Sequence, residues 1–442
     1  MYGYPYFHSD DVVLNDAYRI AVGDLAGNVV PYRGGLLEKE EFCLLAGLDY
    51  TQPWTRDTAI NVWYALAFAD PDLCKKTRLS VLERGDGKIR VAGSYGQSWD
   101  NVIWALGAYE YLLCHDDAEF LPFSLEVIAN TLKEFEAQEF DAEKNLFGGR
   151  AVYADGVASY PDNIVAKLDK ERVFALSTNC VYYRVYLICA EFAQRLGRPA
   201  DSYLRKAEAL KKAIEKHFWN ERNQNFDYFA GESDANEGLG LSYAVLFDIA
   251  SPVQKQAVMK NTHLTPHGIA CEWPPFERYT KMAEDALGRH CGTIWPLAQG
   301  AWGLAALHAG RPDLFENELR LMASKAVRDM HFYEIYHSES GLPYGGWQEW
   351  EGKTVLWTSC RKQSWSASAY LALVLKGVAG LSVSDGRISA RPRLPQGVNE
   401  ICLKHIRVRG KTFDLYVSRG ADLPKEAAFS LEELPEVLRL SF

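Results

Sequence analysis

Glu334 sits among aromatic rings in the stretch His331-Phe332-Tyr333-Glu334-Ile335-Tyr336. A Gly-rich loop follows, and then Gln363-Ser364-Trp365-Ser366-Ala367-Ser368-Ala369-Tyr370 opens an apolar helical pattern. An ionised carboxylate can take a proton from water. Aromatic faces can hold the apolar face of a sugar ring. Together these predict a base at a glycosidic bond, and a base of that kind needs a protonated carboxyl across from it. A gap of about 6.5–9.5 Å between the two admits a water and gives inversion. An apolar surround raises the acid's pKa, as its role requires.

Other loops offer partners. Gln52-Pro53-Trp54-Thr55-Arg56-Asp57 places Asp57 where an N-cap belongs. Capping alone does not need Trp54 and Arg56 beside it, so the trio predicts a sugar subsite gripped by charge-assisted hydrogen bonds. Gly96-Gln97-Ser98-Trp99-Asp100 supplies Gln97 and Trp99 as lining residues and Asp100 as one candidate acid. The stretch 148–161 carries Arg150, Tyr153 and a second candidate acid, Asp155, although Asp155-Gly156 is also an ordinary turn signal. Glu237, Trp273, His290 and Trp295 are expected to wall the pocket, with Tyr336, Trp347 and Trp365 on the Glu334 side. Glu339 and Glu349 are rivals to Glu334 as base. Glu339 lies in a polar Ser-Glu-Ser-Gly turn and is expected to be exposed.

The elements that must position these residues read as paired helices. Six segments, starting near Asp57, Trp99, Ala175, Glu237, Gly292 and Trp365, are apolar on nearly every face, as buried helices are. Between them run amphipathic helices such as Asp201–Phe218, Phe123–Phe140 and Pro312–Asp329. Turns such as Gly197-Arg198-Pro199 join helices closely, whereas the connections into the inner helices are long, at 84–97, 139–174, 219–236, 263–289 and 331–362. Long loops in a compact domain are usually functional. Inner helices running one way would gather all of them on one face. The fold expected is all-α, a double-layered helical barrel over 36–381. An extended arm, 1–35, precedes it, and a small antiparallel β-rich region, 382–442, is expected to pack on the barrel.

Composition narrows the partners. The 442 residues carry a net charge of -10, which argues against nucleic acid and anionic membrane surfaces. No charge-free stretch reaches membrane-spanning length. Twelve Trp, 24 Tyr and 20 Phe suit a carbohydrate partner. The nine cysteines lack C-x-x-C spacing and read as buried free thiols in a reducing compartment. No basic segment leading into an apolar run opens the chain, so the expected location is cytoplasmic. No metal-ligand cluster, P-loop or dinucleotide fingerprint appears in the sequence, and no metal or cofactor is expected.

The order of these motifs resembles that of the six-hairpin glycosidases, a group that includes glucoamylases, trehalases and processing α-glucosidases. Trp54-Thr55-Arg56-Asp57 resembles the Trp-x-Arg-Asp of glucoamylases, which holds the terminal sugar. Glu334-Ile335-Tyr336 followed by Gly341 resembles the group's Glu-x-Tyr…Gly, whose Glu is the general base. Gly292-Thr293-Ile294-Trp295-Pro296 and Trp365-Ser366 resemble its Gly-x-x-Trp-Pro and the Trp-Ser of the last inner helix. The resemblance covers roughly 50–380 and implies the (α/α)6 barrel, exo action, and an acid from the third hairpin loop, which favours Asp155 over Asp100. That loop has neither the Trp-Glu-Glu of glucoamylases nor the Ser-Gly-Trp-Asp of trehalases, so Asp155 matches by position. Competing expectations are a sugar epimerase using His267, His290 or His331, a glycoside phosphorylase, and a non-catalytic carbohydrate-binding barrel.

Overall fold

Burial divides the helices into two kinds. The computed structural model describes residues 3–92, 98–152, 156–168, 170–384 and 386–442. Among the described residues, twelve helices of nine residues or more alternate between outer and inner. The outer helices are α1 (Val12–Gly27), α3 (Pro71–Leu79), α5 (Phe120–Glu139), α7 (Asp201–Phe218), α9 (Pro252–Asn261) and α11 (Pro312–Asp329). The inner ones are α2 (Thr55–Tyr64), α4 (Trp104–Cys114), α6 (Leu176–Arg195), α8 (Gly238–Leu246), α10 (Pro296–His308) and α12 (Ser364–Ala372), the last continuing as a π-helical turn, Leu373–Val378. Every residue of α12 is buried. α7 instead buries one stripe, Ala207, Leu210, Ala213, Ile214 and Phe218, the spacing of a helix with one face on a core.

Each inner helix touches the next, and α12 returns to α2, so the six close a ring. Small residues let them approach. A β-carbon on Gly300 of α10 would lie 2.7 Å from that of Ala369 in α12, and one on Gly107 of α4 would lie 3.0 Å from Ala59 O in α2. Three of the six outer helices start on side-chain caps: Asp11 on α1, Asp70 on α3, and a Ser251–Gln254 capping box on α9. Inner helices α2, α6 and α10 start on Trp54, Ala175 and Trp295, none of which caps with its side chain. Their N-terminal ends carry the positive end of the helix dipole toward the long loops.

The structure is mostly helical, but it also contains ten small sheets among the described residues, more strand than an all-α reading allows. Most are short ladders that brace the loops. The described part of the expected arm, residues 3–35, is not extended. Tyr6–Ser9 is a strand and α1 is an outer helix packed on α11 and α12. Its buried residues Leu14, Ala17, Tyr18, Ala21, Val22 and Leu25 follow helical spacing, a stripe present in the sequence.

After α12, Leu381–Ser384, Arg387–Ala390 and Ala427–Ser430 form one sheet. A second runs Tyr6–Ser9, Glu400–Val408, Lys411–Ser418, Val437–Ser441. Its last pair is parallel, against the expected all-antiparallel arrangement. Arg409 donates to the carbonyls of Leu112, Leu113 and Cys114 at the end of α4, satisfying groups that a helix C-terminus leaves open. The sheets therefore lie at the C-terminal ends of the inner helices, and the opposite end is left to the loops. The nine cysteines are free thiols, eight of them buried. Among the described residues no helix is long and apolar enough to cross a membrane.

Candidate active site

Glu334 lies where the loops meet, and its side chain is 3% exposed. One carboxylate oxygen accepts the Tyr50 hydroxyl at 2.7 Å, and the other accepts Arg289 Nη2 at 2.8 Å. Its backbone N–H donates to Cys360 O at 2.9 Å. Two residues on, Tyr336–His337 pairs with Thr293–Ile294 of the fifth loop. Both the side chain and the backbone of Glu334 are thus fixed. A carboxylate has about four acceptor positions, so two donors still leave room for a water. Burial and the adjacent Glu334 push the Tyr50 phenol well above its ordinary value, so Tyr50 keeps its proton and donates.

Arg289 is held in turn. Nη1 donates to Gly345 O at 3.2 Å, and the guanidinium lies 5.5 Å from the Trp295 ring and 5.7 Å from that of Trp357. His290 stacks on Trp295 with centroids 4.4 Å and planes 11° apart, and Trp295 meets Trp365 at 5.7 Å. Trp295 Nε1 donates to Arg289 O at 2.9 Å. His290, Trp295 and Trp365 are all buried. They form the packed backing of Arg289, and through it of Glu334.

At the start of α2, Arg56 Nε lies 3.1 Å from Asp100 Oδ2, with side chains 5% and 0% exposed. The pair ties the first turn of α2 to the short helix Ser98–Asn101. A guanidinium at this range favours the charged carboxylate, the opposite of what a proton donor needs. Asp57 is buried in the same turn, and Trp54 is half-buried at its edge.

The third, fifth and sixth loops interlock. A β-carbon on Gly156 would lie 2.7 Å from Gln348 Nε2. Ala158, Phe276, Tyr279 and Cys291 share an apolar cluster with the half-buried Trp347. Arg278 donates to Val157 O and, at 2.7 Å, to Tyr160 O. The residue following Asp155 therefore stands against the loop that carries Glu334. Asp155 itself, with Gln97, Tyr153 and the Trp99 side chain, lies outside the described residues.

The remaining expected site residues are spread more widely. Arg150 is half-buried, and its carbonyl accepts the Thr178 hydroxyl at 2.6 Å. Glu237 is buried at the N-cap of α8. Trp273 stacks on His263 at 4.1 Å. Tyr336 is buried in a cluster with Ala270 and Ile294, 4.8 Å from Lys325 Nζ. Of the rival bases, Glu349 accepts the Tyr279 hydroxyl at 2.6 Å and Glu339 is exposed. The sequence reading missed Tyr50 and Arg289. Arg289 directly precedes His290 in a long loop, but a lone arginine there carries no motif.

The model of the mannosylglycerate hydrolase MGH1-like glycoside hydrolase domain matches residues 126–366. A solved sialidase is similar at TM-score 0.74 and 15% identity, over 98% of this chain and 41% of that one. A GH78 family rhamnosidase of Bacillus sp. GL1 gives 0.59 and 14%, over 100% and 43%. A GH63 mannosylglycerate hydrolase from Thermus thermophilus, in complex with glucose, gives 0.57 and 13%, over 81% and 100%. The chain thus spans less than half the length of the first two, and at these identities the likeness is one of fold. No curated protein matches it by sequence.

Proposed function

Because the chain belongs to the MGH1-like glycoside hydrolase domain family, whose model covers more than half of it, we propose that it removes a terminal sugar from an oligosaccharide or small glycoside with inversion. On this reading the helix ring is the (α/α)6 toroid of six-hairpin glycosidases. Residues 36–381 then supply the catalytic scaffold, with α1 completing its outer layer. Glu334 carries the reading: a buried carboxylate oriented by Tyr50 and Arg289 on the face where the long loops gather.

Glu334 takes a proton from a water as that water attacks the anomeric carbon. Asp155 gives its proton to the leaving oxygen on the other side of the sugar ring. Asp155 is preferred to Asp100 because Arg56 occupies Asp100. The Arg56–Asp100 pair, Asp57 and Trp54 hold the terminal sugar through hydroxyl bonds and ring stacking. The neighbours named above include hydrolases of a mannoside and a rhamnoside. Aryl α-mannosides, rhamnosides, glucosides and glucuronides, together with mannosylglycerate, are therefore the panel that identifies the sugar.

Glu334→Gln is expected to cost about 10²–10⁴ in rate while leaving substrate affinity near normal. Near-normal hydrolysis by that variant would remove Glu334 from the base role. Proton NMR of the first-formed anomer is expected to show inversion, and release that depends on added phosphate would point to phosphorolysis instead.

A further inference from the structure

Glu237 and Glu272 stand directly opposite each other where Asn236–Glu237 pairs with Glu272–Trp273. Opposed residues in an antiparallel pair share a face, with β-carbons about 4.5–5.5 Å apart. Both are buried, at 3% and 2% exposure. Around them lie Tyr228, Tyr160, Cys271 and Cys291, and none of these is a cation. The His290 carbonyl accepts the Glu272 N–H.

The two carboxyls are not equivalent. Glu237 accepts the Ser177 N–H at 3.0 Å. Glu272 Oε1 is met by Cys271 Sγ at 3.4 Å, and among the described residues its Oε2 has no hydrogen-bond partner. Two adjacent buried carboxyls with no cation beside them among the described residues cannot both ionise. Without a cation beside them among the described residues, burial favours the protonated form of each. Burial pushes Glu237 up to about 8 and Glu272 well above its ordinary value.

The pair is joined to both flanks of the loop that carries Asp155. Ser177 Oγ accepts the Val152 N–H at 3.1 Å, three residues before Asp155. Tyr228, beside the pair, donates its hydroxyl to Ser159 O at 3.0 Å, four residues after it.

Resting on Asp155 as the acid, we propose that Glu237 and Glu272 are a positioning pair of buried carboxyls that fixes the acid-bearing loop through Ser177. Glu237 anchors Ser177 by accepting its N–H, and Glu272 stands opposite it on the same face of the strand pair. The pair touches neither water nor sugar and acts by aiming Asp155.

The test compares the methyl and the dinitrophenyl glycoside of the sugar that the enzyme cleaves, using the full chain. A dinitrophenolate leaves with little need of protonation, whereas a methoxide needs the acid. Glu237→Ala is expected to lower kcat on the methyl glycoside by about 10–100-fold, the scale of a misplaced catalytic group. On the dinitrophenyl glycoside the loss is expected to be slight, with KM little changed. Glu237→Gln is expected to recover most of the loss, because its amide oxygen still accepts from Ser177. Glu272→Gln, an isostere of the protonated acid, is expected to recover what Glu272→Ala loses. Equal losses on both substrates without rescue, or no loss at all, would overturn the proposal. Should Glu237→Ala fail to fold, Ser177→Ala removes only the hydroxyl link and is read in the same way. Asp155→Asn run alongside separates the two claims. A loss there that is insensitive to the leaving group fells the acid assignment and the pair with it. A sensitive loss there with an insensitive one for Glu237→Ala rejects the pair alone.

Discussion

Glu334 takes its orientation from Tyr50 and Arg289, 284 and 45 residues away in sequence. A hydrogen bond to a charged group contributes about 1.5–3 kcal/mol. Tyr50→Phe removes one such bond and leaves the ring in place. If the bond is worth as much in the transition state, kcat is expected to fall about 10–100-fold at saturating substrate. Thermal stability should change little. A variant with wild-type kcat would mean that Arg289 alone orients Glu334. Arg56 and Asp100 show the same dependence on context: each alone reads as a candidate, and only the fold brings them to 3.1 Å of each other.

Inner helices α2 and α12 close the ring through polar as well as apolar contact. Asn61 Nδ2 donates to Ser364 Oγ at 2.8 Å, and its Oδ1 accepts from Ser368 Oγ at 2.7 Å. All three residues are buried. Asn61→Ala strands two hydroxyls inside the ring, at a cost of about 1–3 kcal/mol for an unsatisfied buried group. Calorimetry is expected to show Tm lower by a few degrees with KM unchanged; an unchanged Tm would show that the seam does not depend on this bridge. The element scale also divides labour between helix ends. Side-chain caps start three of the outer helices, while Trp54 and Trp295 start inner ones, where the same residues border the candidate site.

The buried carboxyls give the whole molecule a pH dependence. Glu237 binds its proton more tightly folded than unfolded, its value rising from 4.5 to about 8, and Glu272 moves the same way. Between those limits the folded protein holds more protons than the unfolded chain, so stability falls as pH rises. Tm is expected to be lower at about pH 8 than at about pH 5.5, within the window those values set. The double variant Glu237→Gln, Glu272→Gln should show a smaller fall. An equal fall in both proteins would place the dependence elsewhere. At this scale the chain ends also meet, because Tyr6–Ser9 pairs with Glu400–Val408 at the far end of the sequence.

Local pattern was enough to mark most of the inner and outer helices. Asp201–Phe218 and Pro312–Asp329 stand where their apolar spacing places them, and the Glu334 motif was legible on its own residues. The stripe of α1 was equally present, but its partners α11 and α12 come from the other end of the ring, and nothing nearby announces them. The short loop ladders were not legible, since a two-residue strand is defined by its partner rather than by propensity. Tertiary structure alone decided that Tyr50 and Arg289 meet Glu334, that Arg56 occupies Asp100, and that Glu237 faces Glu272. Sequence periodicity states which face of a helix is apolar. Which side chains from distant loops then touch is set by packing the helices into one closed ring, and no local window contains that information.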